Sequence, residues 1–235
     1  MFKDRIFRIP RIWSNKELRK FSHLFNGDVV NVSAWMDKDK EGDEYRNYFS
    51  NSNSYTITNY KTEAKGFQGS KNEIFLDLEK DLPSNLIGKF DVVFNHTTLE
   101  HIYNFNKAFN NLCLMSKDIV IIIVPFLQQM HADYGDYWRF TPLALKKMFE
   151  DNKMEVVYSS FNEHKRSSVY LFFIASKKAN KWKKLKNEFS FKSTPRLFLN
   201  TSEPYLGNRA VSNNFLFRLG LTIYRKILMV ITNYK

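Results

Sequence analysis

A single cysteine, Cys113, leaves the chain without an internal disulfide and without the ligands of a cysteine-rich zinc site. Set in the apolar run FNNLCLM, that thiol reads as a small buried hydrophobe rather than a nucleophile. No stretch reaches the ~18 to 20 uninterrupted apolar residues of a membrane-spanning helix. Charges at positions 3, 4, 5 and 8 deprive the N-terminus, MFKDRIFRIP, of the apolar centre of a secretion signal, so a cytoplasmic protein is expected. Acidic residues are scarce toward the C-terminus: residues 177–235 hold 13 Lys and Arg against 2 Asp and Glu, whereas residues 1–176 hold 23 against 22. The net charge of +12 is thus 23 − 22 = +1 in the body and 13 − 2 = +11 in the tail. A nearly neutral body argues against a long phosphate-binding track, so nucleic acid is not an expected partner.

A hydrophobic content of 43% over 235 residues can bury a full core. Ser14 with Glu17 resembles a capping box, followed by Leu18, Phe21, Leu24 and Phe25 at helical spacing, so residues 1–26 are read as an N-terminal helical segment with its helix over about 15–25, ended by Asn26-Gly27. A body follows over residues 27–177. Val29, Val30, Val32 and Ala34 mark a first strand, and WMDKDKEGDEYRNYF a polar loop leading into a helix. SYTITNYK and NEIFLDLEKDLP supply two more strands, with Asp77 at the end of the latter. Phe90 to Phe94 and Ile119 to Val124 are continuous apolar runs, the pattern of parallel strands covered on both faces. Asn104 to Met115 has the length of a crossover helix between them, and Thr141-Pro142 opens another. MEVVYSSFN and SSVYLFFIASK close the body as an antiparallel pair. The order predicts a doubly wound α/β sandwich, a mostly parallel Rossmann-like sheet of seven strands with an antiparallel last strand. Ligands of such sheets lie at the carboxyl ends of strands, where Asp77, Asn95, His96 and His131 fall.

Two blocks carry a family resemblance: FDVVFNHTTLEHI, and VPFLQQMHADYGDYWRFTP. They resemble the fourth-strand "LEH" turn and the fifth-strand loop of class I S-adenosylmethionine-dependent methyltransferases, in a subgroup carrying "DYWRFT" that looks like proteins of bacterial polysaccharide assembly. The resemblance covers roughly residues 27–177. It implies S-adenosylmethionine as cofactor, held by the loop after the first strand (Ser33, Ala34, Trp35), by Asn59 at the second, by Asp77 at the adenine, and by Asn95 and His96 beside the methionine part. Two departures stand out: no glycine occupies the first loop before Gly42, and Asn59 replaces the usual ribose-binding acid. Asp77 can equally cap a turn.

Methyl transfer to a hydroxyl needs a positioned nucleophile and a base. The resemblance makes His131 the first candidate and His101 the second, since imidazole titrates near neutrality. Asp136, Tyr137, Trp138 and Arg139 are read either as a wall for the acceptor, a sugar, nucleotide-sugar or glycan precursor, or as a packing cluster with Asp136 and Arg139 paired. A divalent-metal site built on Glu100 and His101, as in small-RNA 3′-end methyltransferases, would lack a ligand at Thr97, so no metal is expected. A cofactor-free binding or scaffold module of an envelope-biosynthesis complex is the alternative function. In the tail, 178–235, Phe215, Leu219, Ile223, Ile227, Leu228 and Ile231 share one helical face, and Arg218, Thr222 and Arg225 the other. Such a helix suits an anionic membrane surface at the inner face of the membrane, or packing on the domain or in a homodimer.

Overall fold

The structure, a computed structural model, describes residues 4–61, 66–131, 135–185, 206–207 and 215–232. Seven strands form one sheet: β1 Gly27–Val32, β2 Ser52–Asn59, β3 Glu73–Phe75, β4 Phe90–His96, β5 Ser116–Leu127, β6 Glu155–Phe161 and β7 Val169–Ser176. Their spatial order is β3-β2-β1-β4-β5-β7-β6. The β1–β2, β1–β4, β2–β3 and β4–β5 pairs are parallel, and β7 runs antiparallel to both β5 and β6. The sheet is therefore the mostly parallel, doubly wound one that the apolar runs predict. The direction in which successive strands are added to the sheet reverses between β1 and β4, which opens a crevice at the carboxyl edge.

Alternation along the central strands divides the core into two layers. Val93, Val120, Ile122 and Val124 face helices α2 (Phe105–Met115) and α3 (Pro142–Asp151), against Phe109, Leu112, Leu145 and Phe149. Val92, Phe94, Ile119, Ile121 and Ile123 face the other way, toward Leu18 of helix α1 (Arg8–Phe21) and toward Tyr45, Tyr48 and Phe49. Each fully buried Val or Ile contributes roughly 1.5–3 kcal/mol, so six consecutive buried positions make β5 the spine of the domain. Caps fix the crossover helices: Asn104 Oδ1 accepts from Lys107 N, and Thr141 Oγ1 from Ala144 N, with Pro142 at the first helical position.

Three features depart from or add to what the sequence predicts. Ser14 does not cap a helix; α1 starts six residues earlier, at Arg8, and Ser14 lies inside it with its Oγ donating to the Arg11 carbonyl. Pro10 falls within the first helical turn, where its missing N–H breaks no bond, so it does not stop the helix. Glu17, freed from a capping role, reaches Tyr158 Oη at 2.9 Å and Ser160 Oγ at 3.2 Å on β6. The loop after β1 does not lead into an α-helix; Tyr45–Tyr48 form one 3-10 turn instead. Asp39 organises it by accepting from the amides of Glu41, Gly42 and Asp43 at 2.7, 3.0 and 2.9 Å. Third, the start of the tail is packed: Ala179–Leu185 is a 3-10 segment whose Trp182 stacks edge-on to Phe25 and donates to Asp118 Oδ2 at 3.0 Å.

Helix α4, Phe215–Thr232, exposes Leu219, Ile223, Tyr224, Ile227, Met229, Val230 and Ile231. The side chains of Phe215, Arg218, Arg225 and Leu228 lie outside the described residues, as does the chain at 186–205. No helix among the described residues is long and apolar enough to cross a membrane.

Candidate active site

The residues expected at a site all fall along the carboxyl edge of the sheet. Ser33, Ala34 and Trp35 follow β1, Asn59 ends β2, Asp77 lies two residues past β3, and Asn95 and His96 end β4. His101 sits in the 3-10 turn Leu99–His101 after β4, and His131 lies beyond β5.

On the β1–β2 side the polar groups bond to one another. Ser33 N donates to Thr58 Oγ1 at 3.3 Å, Ala34 N to the Thr58 carbonyl at 3.1 Å, and Trp35 N to Asn59 Oδ1 at 2.6 Å. The Asn59 amide returns the contact, donating to the Trp35 carbonyl at 3.1 Å and to Glu73 Oε1 at 2.5 Å. Ser33, Trp35 and Asp37 hold φ of 59°, 51° and 60°, so the backbone is left-handed at alternate positions without a glycine. Asp37 ties the loop down: it accepts from Asn31 Nδ2 and Tyr55 Oη, both at 2.7 Å, and burial raises its carboxyl above the ordinary value. Asp77 Oδ1 caps a local turn by accepting from Glu79 N at 2.9 Å.

On the β4–β5 side the reverse holds. Among the described residues, the buried polar side-chain atoms without a hydrogen-bond partner are Asn95 Oδ1, both oxygens of Glu100, both amide atoms of Gln128 and His131 Nδ1. Such atoms are rare in folded proteins, and all six lie at or just after the carboxyl ends of β4 and β5. Glu100 is 1% exposed, and burial pushes its carboxyl up to about 8 against the pull of its own backbone amide, Arg11 and Arg139. His101 Nδ1 donates to the Gly135 carbonyl at 2.6 Å, which leaves the Nε2 lone pair 3.8 Å from Glu100 Oε1. Burial lowers the His101 pKa, and its ring lies 5.0 Å from that of His131. His131 Nδ1 stands 3.3 Å from Asp136 Oδ2, a carboxylate held at about 2 by its bonds from Arg139.

The loop carrying Tyr137 and Trp138 is braced from within. Arg139 meets Asp136 through two bonds of 2.5 and 2.7 Å and also donates to the carbonyls of Gln128, Gln129 and Trp138. Trp138 Nε1 donates to the Ile102 and Tyr103 carbonyls, and its ring meets Phe105 edge-on at 4.7 Å. Tyr137 is exposed. Arg139 and Trp138 thus serve the packing arrangement, and Tyr137 alone of the four is exposed, its ring edge-on to Tyr103 at 5.4 Å.

Helix α1 also enters this edge. Arg11 donates to Thr97 Oγ1, whose hydroxyl lies 3.1 Å from His96 Nδ1, while His96 Nε2 lies 2.8 Å from Ser14 Oγ. Because Ser14 Oγ donates its one hydrogen to the Arg11 carbonyl, the His96 proton resides on Nε2 and Nδ1 accepts. Burial, with Arg11 nearby, keeps that ring neutral, its pKa well below the ordinary value. His96 therefore orients Arg11 and lies back from the open edge. Sequence reasoning did not single out Arg11, although Arg5, Arg8 and Arg11 recur at helical spacing ahead of Ser14.

No family profile and no curated protein sequence matches the chain. Solved structures do. A provisionally named methyltransferase from Bacillus halodurans C-125 superposes with a TM-score of 0.53 at 11% identity, over 69% of this chain and 97% of that one. A chain from the complex of the Haloferax volcanii Trm112 methyltransferase activator with its provisional methyltransferase gives 0.52 at 11% identity, over 71% and 89%. The chain has the Rossmann-like methyltransferase fold. A Burkholderia thailandensis 1,6-didemethyltoxoflavin-N1-methyltransferase, solved with S-adenosylhomocysteine, is similar at a TM-score of 0.48 and 14% identity, over 70% and 80%.

The cofactor positions that the family resemblance implies lie across β1, β2 and β4, and the side chains there offer unequal groups to such a ligand. The unpartnered Asn95 Oδ1, buried beside the Val32 carbonyl that its amide reaches at 3.0 Å, suits a donor group of a ligand. The Asn59 amide, engaged with Trp35 and Glu73, does not suit a ribose diol in this conformation. Among the described residues, no group of three or more His, Cys, Asp or Glu side chains is placed to hold a metal ion.

Proposed function

We propose that this chain is an S-adenosylmethionine-dependent methyltransferase acting on a hydroxyl oxygen of a sugar or glycan precursor, in the assembly of a bacterial surface polysaccharide. The observation that carries the reading is the set of unpartnered buried polar atoms beyond β4 and β5, on the edge where this fold accommodates ligands. Asp77, Asn95 and the backbone of residues 33–35 would hold the cofactor, which supplies an electrophilic methyl group. His131 serves as the base that takes the acceptor proton, with the Asp136 carboxylate 3.3 Å from its Nδ1 as the fixed negative charge beside it. His101, its Nδ1–H tied to Gly135, turns Nε2 toward Glu100 Oε1 at 3.8 Å. Tyr137 offers its exposed ring to the acceptor.

Thermal melting and calorimetry with S-adenosylmethionine and its demethylated product test the reading: binding raises the melting temperature, and neither shift nor heat at millimolar ligand would sink it. One observation favours a second reading, a cofactor-free binding module: the closed bonding of Asn59, Trp35 and Glu73 with no glycine in the loop. The same titration separates the two.

For the tail we infer an anionic membrane surface as partner. The exposed Leu219, Ile223, Ile227 and Ile231 of α4 follow a strongly basic segment, which pairs apolar insertion with attraction to acidic headgroups. Full-length chain sediments with vesicles containing phosphatidylglycerol and an Ile223→Asp, Ile227→Asp variant does not; equal sedimentation of both rejects the inference, and a concentration-dependent dimer lost in the variant assigns the face to self-association.

A further inference from the structure

Among the described residues, no ionised side chain is bonded to Arg11. Its guanidinium donates to Thr97 Oγ1, and the hydroxyls of Tyr45 and Tyr170 lie against it; all three partners are neutral. A guanidinium keeps its charge at any accessible pH, and a partly buried charge is stable only beside a counter-charge. The neighbouring acids do not supply one. Asp136 is joined to Arg139 by two bonds, and those charges cancel. Among the described residues no side chain makes a hydrogen bond to the Glu100 carboxyl, and burial raises that carboxyl to about 8, toward its protonated form. His96 and His101 are both held toward the neutral form by burial. What remains is one positive charge beside a buried carboxylic acid and a buried amide, Gln128, whose polar atoms are all unpartnered. The Tyr170 hydroxyl lies beside Arg11 and Gln128, with Glu100 within electrostatic reach, which brings the three residues to one end of the sheet.

We propose that Arg11, Glu100 and Gln128 form a subsite for an oxyanion with a hydroxyl group beside it, the oxyanion on the Arg11 guanidinium and the hydroxyl on Glu100 and Gln128. A hydroxyl both donates and accepts, which matches a protonated carboxyl and a free amide; a planar guanidinium matches carboxylate or phosphate oxygens. A uronic acid and a sugar phosphate share this chemistry. The inference rests on the reading of the β4–β5 edge as the acceptor site, and it adds that the acceptor is an acid.

The test is calorimetric titration of the full chain with D-glucuronate, glucose 1-phosphate and D-glucose, for the wild type and for Arg11→Gln and Arg11→Lys. At least one anion is expected to bind about ten-fold or more tightly than glucose, the scale of one charge-assisted bond, and which anion does so identifies the source. Arg11→Gln removes that preference and Arg11→Lys retains part of it, which keeps the test decisive should the glutamine variant fail to fold. Equal affinity for glucose and both anions, no anion binding at millimolar concentration, or an undiminished preference in Arg11→Gln would each overturn the subsite. Parallel titration with S-adenosylmethionine distinguishes the failures: cofactor bound without anion overturns the subsite alone, and anion bound without cofactor overturns methyl transfer alone. Loss of cofactor binding in Arg11→Gln with sugar binding unchanged would move Arg11 to the cofactor and overturn the subsite as well.

Discussion

The two halves of the carboxyl edge are opposites. Over β1 and β2, Ser33, Ala34, Trp35 and Asn59 satisfy one another, and Asp37 and Asp39 draw in amides and tyrosine hydroxyls from residues 41–55. Over β4 and β5, Asn95, Glu100, Gln128 and His131 keep buried polar atoms with no partner. An interior polar network gains stability by closing on itself, whereas an open one costs stability unless something else fills it. The first half presents a backbone already held in shape, and the second presents buried side chains whose bonding is still open.

The comparison is most sharply tested at His131. His131→Ala should lower turnover by about 100-fold or more, the contribution of a general base, while leaving cofactor affinity unchanged in a binding titration. A parallel loss of cofactor affinity would place His131 in the other half.

Glu100→Gln comes next in size. In the folded chain this carboxyl keeps its proton up to about pH 8, whereas in the unfolded chain it loses it near the ordinary glutamate value. Between those two values the folded state binds more protons than the unfolded state, so stability falls as pH rises through that window. Glutamine removes the penalty: the variant should match the wild type near pH 4 and exceed it by on the order of 3 kcal/mol at pH 9, read from urea unfolding. Equal pH dependence of the two proteins would show that Glu100 is solvated or paired, and the second half would no longer count as open.

Asn59→Ala should cost about 2 kcal/mol, because it orphans the Trp35 amide and removes two bonds given by the Asn59 amide. Cofactor affinity is expected to hold; a ten-fold drop without a stability loss would return Asn59 to ribose binding. The smallest effect belongs to Ser33→Gly, which relieves a left-handed φ of 59° and should stabilise by up to ~1 kcal/mol in melting experiments. Destabilisation there would mean that the serine side chain, and not backbone strain, governs the loop.

Legibility in the sequence followed the range of the interaction involved. Ile119 to Val124 could be read as a buried parallel strand because its burial on both faces is written as an unbroken apolar run, and Phe90 to Phe94 as another, broken only by Asp91. Thr141-Pro142 could be read as a helix start because the cap is local. The true start of α1 could not, because Pro10 looks like a stop until its place in the first turn is known. Glu17 looked like half of a capping box, and its actual partners, Tyr158 and Ser160, are more than 140 residues away in the chain.

By itself the sequence determined the succession of strands and crossover helices and which histidines follow β4 and β5, since these follow from periodicity and local turn chemistry. Only the tertiary structure decided that Asn59 faces Trp35 and Glu73, that Glu100 is buried without a partner, and that helix α1 brings Arg11 to the same edge. Those facts depend on burial and on pairs formed across the sheet. Burial sets whether a carboxyl is charged and an unmet partner sets whether a site is open, and neither quantity exists until the chain has folded.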